Sequence, residues 1–126
     1  MAGHDKTGRS TTRARFAALP HDVLTSPGYR ACSPAARAVM LELIMLHNGF
    51  NNGKIGLSIR DAATRCNIGK ATAARAFQEL DDNGLVDCVE KGSFRDHHRI
   101  ATTFRLLWLR CDVTQTIPMR RYRQAA

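Results

Sequence analysis

The chain has 126 residues, 44% of them hydrophobic and 24% charged, with 19 Lys and Arg against 11 Asp and Glu for a net charge of +8 at pH 7. That length and apolar content suit one small domain with a modest core and ask for no second. No apolar run reaches the roughly 18 residues of a membrane-spanning helix, which rules that class out, while the basic balance, with a pI near 10.0, favours an acidic polymer or surface as partner.

From the start of the chain, residues 1–15 hold few large apolar side chains but carry Lys6, Arg9, Arg13 and Arg15, and are expected to form a basic flexible arm. Phe16, Leu19, Val23, Leu24 and Tyr29, interrupted by Pro20 and Pro27, then predict an irregular or short helical segment docked on the core. Ser33-Pro34 is a strong helix start, a capping hydroxyl followed by a proline whose missing N–H costs nothing at the first helical position. Ala36, Val39, Met40, Leu43, Ile44 and Leu46 give that helix a broad apolar face, and Asn48-Gly49 with Asn51-Asn52-Gly53 supplies its stop. Lys54 to Leu57 is long enough for a short strand.

Two short helices are expected next. Ile59, Ala62, Ala63 and Cys66 share one face of the first, with Ser58 as N-cap and Asp61 completing a capping-box-like pair. Asn67 tolerates the left-handed conformation that ends a helix, and Gly69 allows tight re-entry into the next. The second helix, about 70–82, turns Ala73, Ala76, Phe77 and Leu80 inward and stops at Asn83-Gly84. Its opposite face carries Ala71, Thr72, Ala74, Arg75, Gln78 and Glu79, with Lys70 at the leading end. The alanines let the helix backbone approach a groove, Arg75 and Gln78 can bond base edges bidentately, and Lys70 and Thr72 suit phosphates.

Residues 85–91 and 99–109 are rich in strand formers and bracket the polar loop 92–98, which predicts an antiparallel β-hairpin. Ile100, Thr102, Phe104, Leu106 and Trp108 alternate with a more mixed set, so one face of the second strand belongs on the helices. Beyond it, residues 113–126, with Arg120, Arg121 and Arg123, read as a basic C-terminal tail, leaving 16–112 as the domain.

The run from Ser58 to Leu80 resembles the helix-turn-helix of bacterial winged-helix regulators, with Ala63 at the small position of the first helix and Asn67 at the turn. Many such proteins have glycine where Asn67 stands, and Ala73 and Ala76 are smaller than the branched residues often found in the second helix. The order helix, strand, helix, helix, strand, strand also looks like small winged-helix proteins of phages and plasmids. The resemblance implies an α+β fold, a mainly helical winged helix-turn-helix with a small antiparallel β-sheet wing. It implies a sequence-specific protein of double-stranded DNA, a transcriptional regulator, with helix 70–82 in the major groove and the wing, 91–99, on the backbone or minor groove. The expected contacts are Ser58, Lys70, Ala71, Thr72, Ala74, Arg75 and Gln78 from the helices and Lys91, Arg95, His97, His98 and Arg99 from the wing. One such unit reads few base pairs, so a homodimer is expected. The alternatives are a replication or partition accessory role on a mobile element, or a winged helix used for RNA or protein contact.

Cys32, Cys66, Cys88 and Cys111 form no CxxC pair and no zinc pattern, and buried reduced thiols, with Cys66 and Cys88 inward, are the better account. The chain has no Walker glycine loop, GxSxG, HExxH or GxGxxG, so no enzymatic activity, metal or cofactor is expected. With no apolar leader or membrane segment, the expected location is the cytoplasm, on the nucleoid.

Overall fold

The structure, a computed structural model, describes residues 14–95, 98–100 and 102–124. Two short helices come first, α1 (His21–Leu24) and α2 (Pro27–Ala31), the second capped by Ser26, whose hydroxyl accepts the Tyr29 N–H. Ser33 caps α3 (Pro34–Leu46) in the same way, accepting the Ala36 N–H at 3.2 Å. Ala36, Val39, Met40, Leu43 and Ile44 of α3 are buried, which is the apolar stripe its sequence spacing predicts.

After β1 (Ile55–Gly56), Ser58 opens α4 (Ile59–Cys66) by accepting the Asp61 N–H at 3.0 Å. Asn67 ends it at φ 57°, ψ 50°, and the Ile68 N–H reaches back to the Ala63 carbonyl at 3.0 Å, as a left-handed cap requires. α5 (Lys70–Asp82) follows and stops at Gly84, φ 75°, with the Leu85 N–H on the Leu80 carbonyl. Ala73, Ala76 and Leu80 bury its inner face against α3 and α4. A fully buried leucine such as Leu43 or Leu80 contributes about 2 kcal/mol of apolar burial.

Strands β2 (Val86–Glu90) and β5 (Thr103–Leu106) pair antiparallel, and β1 adds to the free edge of β5, giving the order β1-β5-β2. The register shifts between Cys88 and Glu90, a bulge beyond which the Gly92 N–H bonds Thr102 Oγ1 at 2.7 Å. Pairing then resumes in β3 (Ser93–Arg95) and β4 (His98–Ile100), so the polar segment expected as an open loop over 92–98 is largely a second two-stranded ladder. The fold is α+β: among the described residues, five α-helices pack beside a small antiparallel sheet, in an order compatible with the winged-helix expectation.

Other expectations differ from the structure as well. Ile59 is 45% exposed because it is the first residue of α4, ahead of the turn that meets the core. Cys88 is exposed rather than inward, since β2 leaves the core after Val86; Cys32 and Cys111 are the buried thiols, and Cys66 is half-buried. Most consequentially, the segment expected as a basic tail is folded as far as residue 124. Its Met119 N–H bonds the Leu107 carbonyl at 2.7 Å, a 3-10 turn forms at Arg121–Arg123, and Tyr122 is fully buried. A Cβ on Gly28 would lie 2.4 Å from the Asn83 carbonyl oxygen and 2.8 Å from the Tyr122 Cα, so glycine is what lets α2 seat this segment. Two of the arginines that gave it a tail-like composition are consumed at home, Arg121 on Asp81 at 3.6 Å and Arg123 on Asp22 at 3.0 Å.

Candidate nucleic-acid interface

The inner side of α5 is fixed at three levels. Ala73, Ala76 and Leu80 are buried, and the Phe77 ring stacks on Phe104 of β5 with centroids 4.8 Å apart. The Glu79 carboxylate accepts both the Ser33 N–H at 2.8 Å and the Ser33 hydroxyl at 2.9 Å, tying α5 to the start of α3. Glu79 therefore leaves the outward face on which the helical wheel put it.

What remains on that face is Lys70, Ala71, Ala74, Arg75 and Gln78, all exposed; Thr72 is half-buried at its edge. The ion pairs among the described residues are Arg65 with Glu42, Arg105 with Asp87, Arg121 with Asp81 and Arg123 with Asp22, and neither Lys70 nor Arg75 enters one. Two cations thus stand over a strip of small side chains on a rigid helix. Gln78 is partly committed, its Nε2 donating to Asp82 Oδ1 at 2.9 Å one turn on.

At the leading end of α5 no side chain caps Gly69, so the first-turn N–H groups and the positive end of the helix dipole face an open crevice. Arg60, Thr64, Asn67 and Lys70 line it, a setting suited to an anionic oxygen. Arg60 was not singled out from sequence; it is the second residue of α4 and exposed. Ser58 is exposed, with its oxygen already accepting the α4 cap bond and its O–H free to donate outward.

The β2–β5 sheet borders the same helix. A groove of about 380 Å³ between α5 and the sheet is lined by Ile59, Phe77, Gln78, Cys88 and Lys91 among others, so the α5 face and the root of the β3–β4 hairpin adjoin. Lys91 is exposed there. Backbone pairing joins Arg95 to His98 and Phe94 to Arg99, which brings three of the expected contacts onto one hairpin; His97 lies outside the described residues.

Burial, the largest cause, pushes the thiols of Cys32, Cys66 and Cys88 above the usual cysteine value, opposite to the shift that makes a reactive thiolate. Among the described residues, no cluster of His, Cys, Asp and Glu is placed to hold a metal ion, and no helix is long and apolar enough to cross a membrane. The chain matches no family model, no curated protein and no solved structure.

Proposed function

We propose that this protein is a winged-helix protein that binds duplex DNA, with α5 in the major groove and the β3–β4 hairpin as a wing on the backbone or minor groove. The outward face of α5 supports this reading most directly: two cations outside the described ion pairs, two alanines and an amide side chain on a helix whose other face is locked into the core. Arg75 suits the bidentate bond to a guanine edge, Ala71 and Ala74 admit close backbone approach, and the uncapped start of α5 with Lys70 and Arg60 suits a phosphate. Lys91, at the hairpin root, is a second phosphate contact. The use such an occupant of a duplex site serves is control of transcription.

The test is fluorescence anisotropy against duplex DNA, single-stranded DNA and structured RNA over a salt series, with selection from a random duplex library. A duplex preference that survives about 150 mM salt and enriches a motif is the expected result. Arg75→Ala should lower discrimination between sequences by about 1–3 kcal/mol, whereas Lys91→Ala should weaken all duplexes alike and reduce the salt slope by about one. Equal affinity for the three polymers, or equal losses from both variants, would refute groove reading by α5.

A further inference from the structure

The chain holds three Asn-Gly pairs, Asn48-Gly49, Asn52-Gly53 and Asn83-Gly84. In such a pair the backbone nitrogen of the glycine can attack the asparagine side-chain carbonyl, because glycine has no Cβ to crowd the approach. Two of the three are closed by the fold. Asn52 is fully buried with both ends of its amide bonded, and the Gly53 N–H is held by the Phe104 carbonyl at 3.2 Å. The Asn83 amide donates to Cys32 Sγ at 3.5 Å, the Gly84 N–H donates to the Asp81 carbonyl at 3.0 Å, and Gly84 is buried against Arg121.

Asn48-Gly49 differs at each of those points. Both residues are exposed, nothing lies within 4 Å of where a Cβ on Gly49 would sit, and among the described residues neither the Gly49 N–H nor the Asn48 Nδ2 donates a hydrogen bond. The Asn48 Oδ1 accepts the Phe50 N–H at 2.8 Å, which folds the side chain over the following peptide and sets a donor on the oxygen where negative charge gathers during attack. We infer that Asn48 is a site of spontaneous modification, at which the folded chain deamidates through a cyclic imide while Asn52 and Asn83 stay intact. The Gly49 nitrogen bonds Asn48 Cγ and gives up its proton, the Cγ–Nδ2 bond breaks, and Nδ2 leaves as ammonia with that proton. Water then opens the imide at either carbonyl, giving aspartate or isoaspartate, and nothing is oxidised or reduced. The product lowers the net charge of +8 by one, just past the C-terminal end of α3.

The test is made on the full chain without nucleic acid, so its outcome is separate from that of the DNA reading. Held at mildly alkaline pH, the folded protein should accumulate an acidic species on ion exchange, faster as pH rises because the deprotonated Gly49 nitrogen is the nucleophile. Peptide mapping by mass spectrometry should place the amide-to-acid change, with isoaspartate, at Asn48 at least about tenfold faster than at Asn52 or Asn83. In about 6 M guanidinium chloride the three sites should converge to within about threefold, since the fold is what separates them. Asn48→Ser keeps a side-chain oxygen for the Phe50 N–H and should remove the early acidic species. An Asn48 that stays intact in the folded chain and reacts only in denaturant overturns the inference. So do equal rates at the three sites in the folded chain, or an early acidic species that persists in Asn48→Ser.

Discussion

The Glu79 carboxylate receives both the backbone N–H and the hydroxyl of Ser33, at 2.8 and 2.9 Å, across 46 positions of sequence. It is a capping box made between helices rather than within one: the residue that caps α3 has its own orphan donor satisfied from α5. Glu79→Ala strands the part-buried Ser33 N–H and should cost about 1–3 kcal/mol in urea unfolding. Glu79→Gln keeps one acceptor and should fall between the variant and the parent. A loss in both variants smaller than about 0.5 kcal/mol would mean that solvent satisfies Ser33 equally well.

The same pair marks where local sequence reasoning stops. Helix starts at Ser33-Pro34 and Ser58, the left-handed Asn67 and the Asn83-Gly84 stop were all legible, because each is decided within a turn of its own backbone. The inner stripe of α5 was legible because period 3.6 marks it. Glu79, by contrast, looks like any outward glutamate until α3 is placed against α5. Tyr122 stands among arginines in a stretch that reads as solvated tail, and in the fold it is fully buried, its backbone seated against Gly28 and its hydroxyl bonded to Asp22, 100 residues away. Of the site, the α5 face was readable from the wheel, whereas Arg60 joins it only through the packing of α4 beside the start of α5.

Asp82 sits at the trailing end of the outward face of α5 and holds the Gln78 amide at 2.9 Å. On a helix lying in a groove, that carboxylate faces phosphates and occupies a donor that a base edge would otherwise take. Asp82→Ala should therefore tighten duplex binding about threefold to tenfold at low salt, with the gain shrinking as salt screens it. Anisotropy titrations of parent and variant check this; an unchanged affinity would place the end of α5 away from the backbone.

The C-terminal turn is latched to α1 by Asp22, which accepts from Arg123 Nη2 at 3.0 Å and from the Tyr122 hydroxyl at 3.1 Å. The Arg123 hydrogen bond, aided by Tyr122 and by the positive charges of Arg123 and Arg120, outweighs partial desolvation and holds the Asp22 carboxyl below the usual aspartate range. A carboxyl depressed in the folded state adds stability above its unfolded pKa and loses it as pH falls through the folded value. Thermal melts should show wild type dropping more steeply than Asp22→Asn below about pH 4, the two curves converging once the aspartate is protonated. Parallel curves would mean that the latch carries no charge-dependent stability.

Asn52 is fully buried and its side chain is bonded on both ends. Nδ2 donates to the carbonyls of Arg110 at 2.8 Å, Leu106 at 3.0 Å and Leu109 at 3.3 Å, while Oδ1 accepts the Leu106 N–H at 2.6 Å. The amide thus clamps the place where β5 ends and the chain turns toward the C-terminal segment. Asn52→Ala removes that clamp and leaves buried backbone groups without partners, at a cost of about 3 kcal/mol. Asn52→Asp has nearly the same shape but aims a carboxylate oxygen at three carbonyls, in a site where charge is poorly solvated. It should be worse than alanine at neutral pH. Burial and the carbonyls raise the folded pKa of the introduced aspartate, so acid favours its folded state: protonation restores an O–H donor. Urea midpoints should therefore show the Asn52→Asp deficit shrinking relative to Asn52→Ala as pH falls from about 7 toward 5. The direction is opposite to that at Asp22, although both are aspartates, because one is met by a guanidinium and the other by carbonyl oxygens. An Asn52→Asp variant as stable as wild type at pH 7 would mean that this amide does not make the contacts that shape the turn.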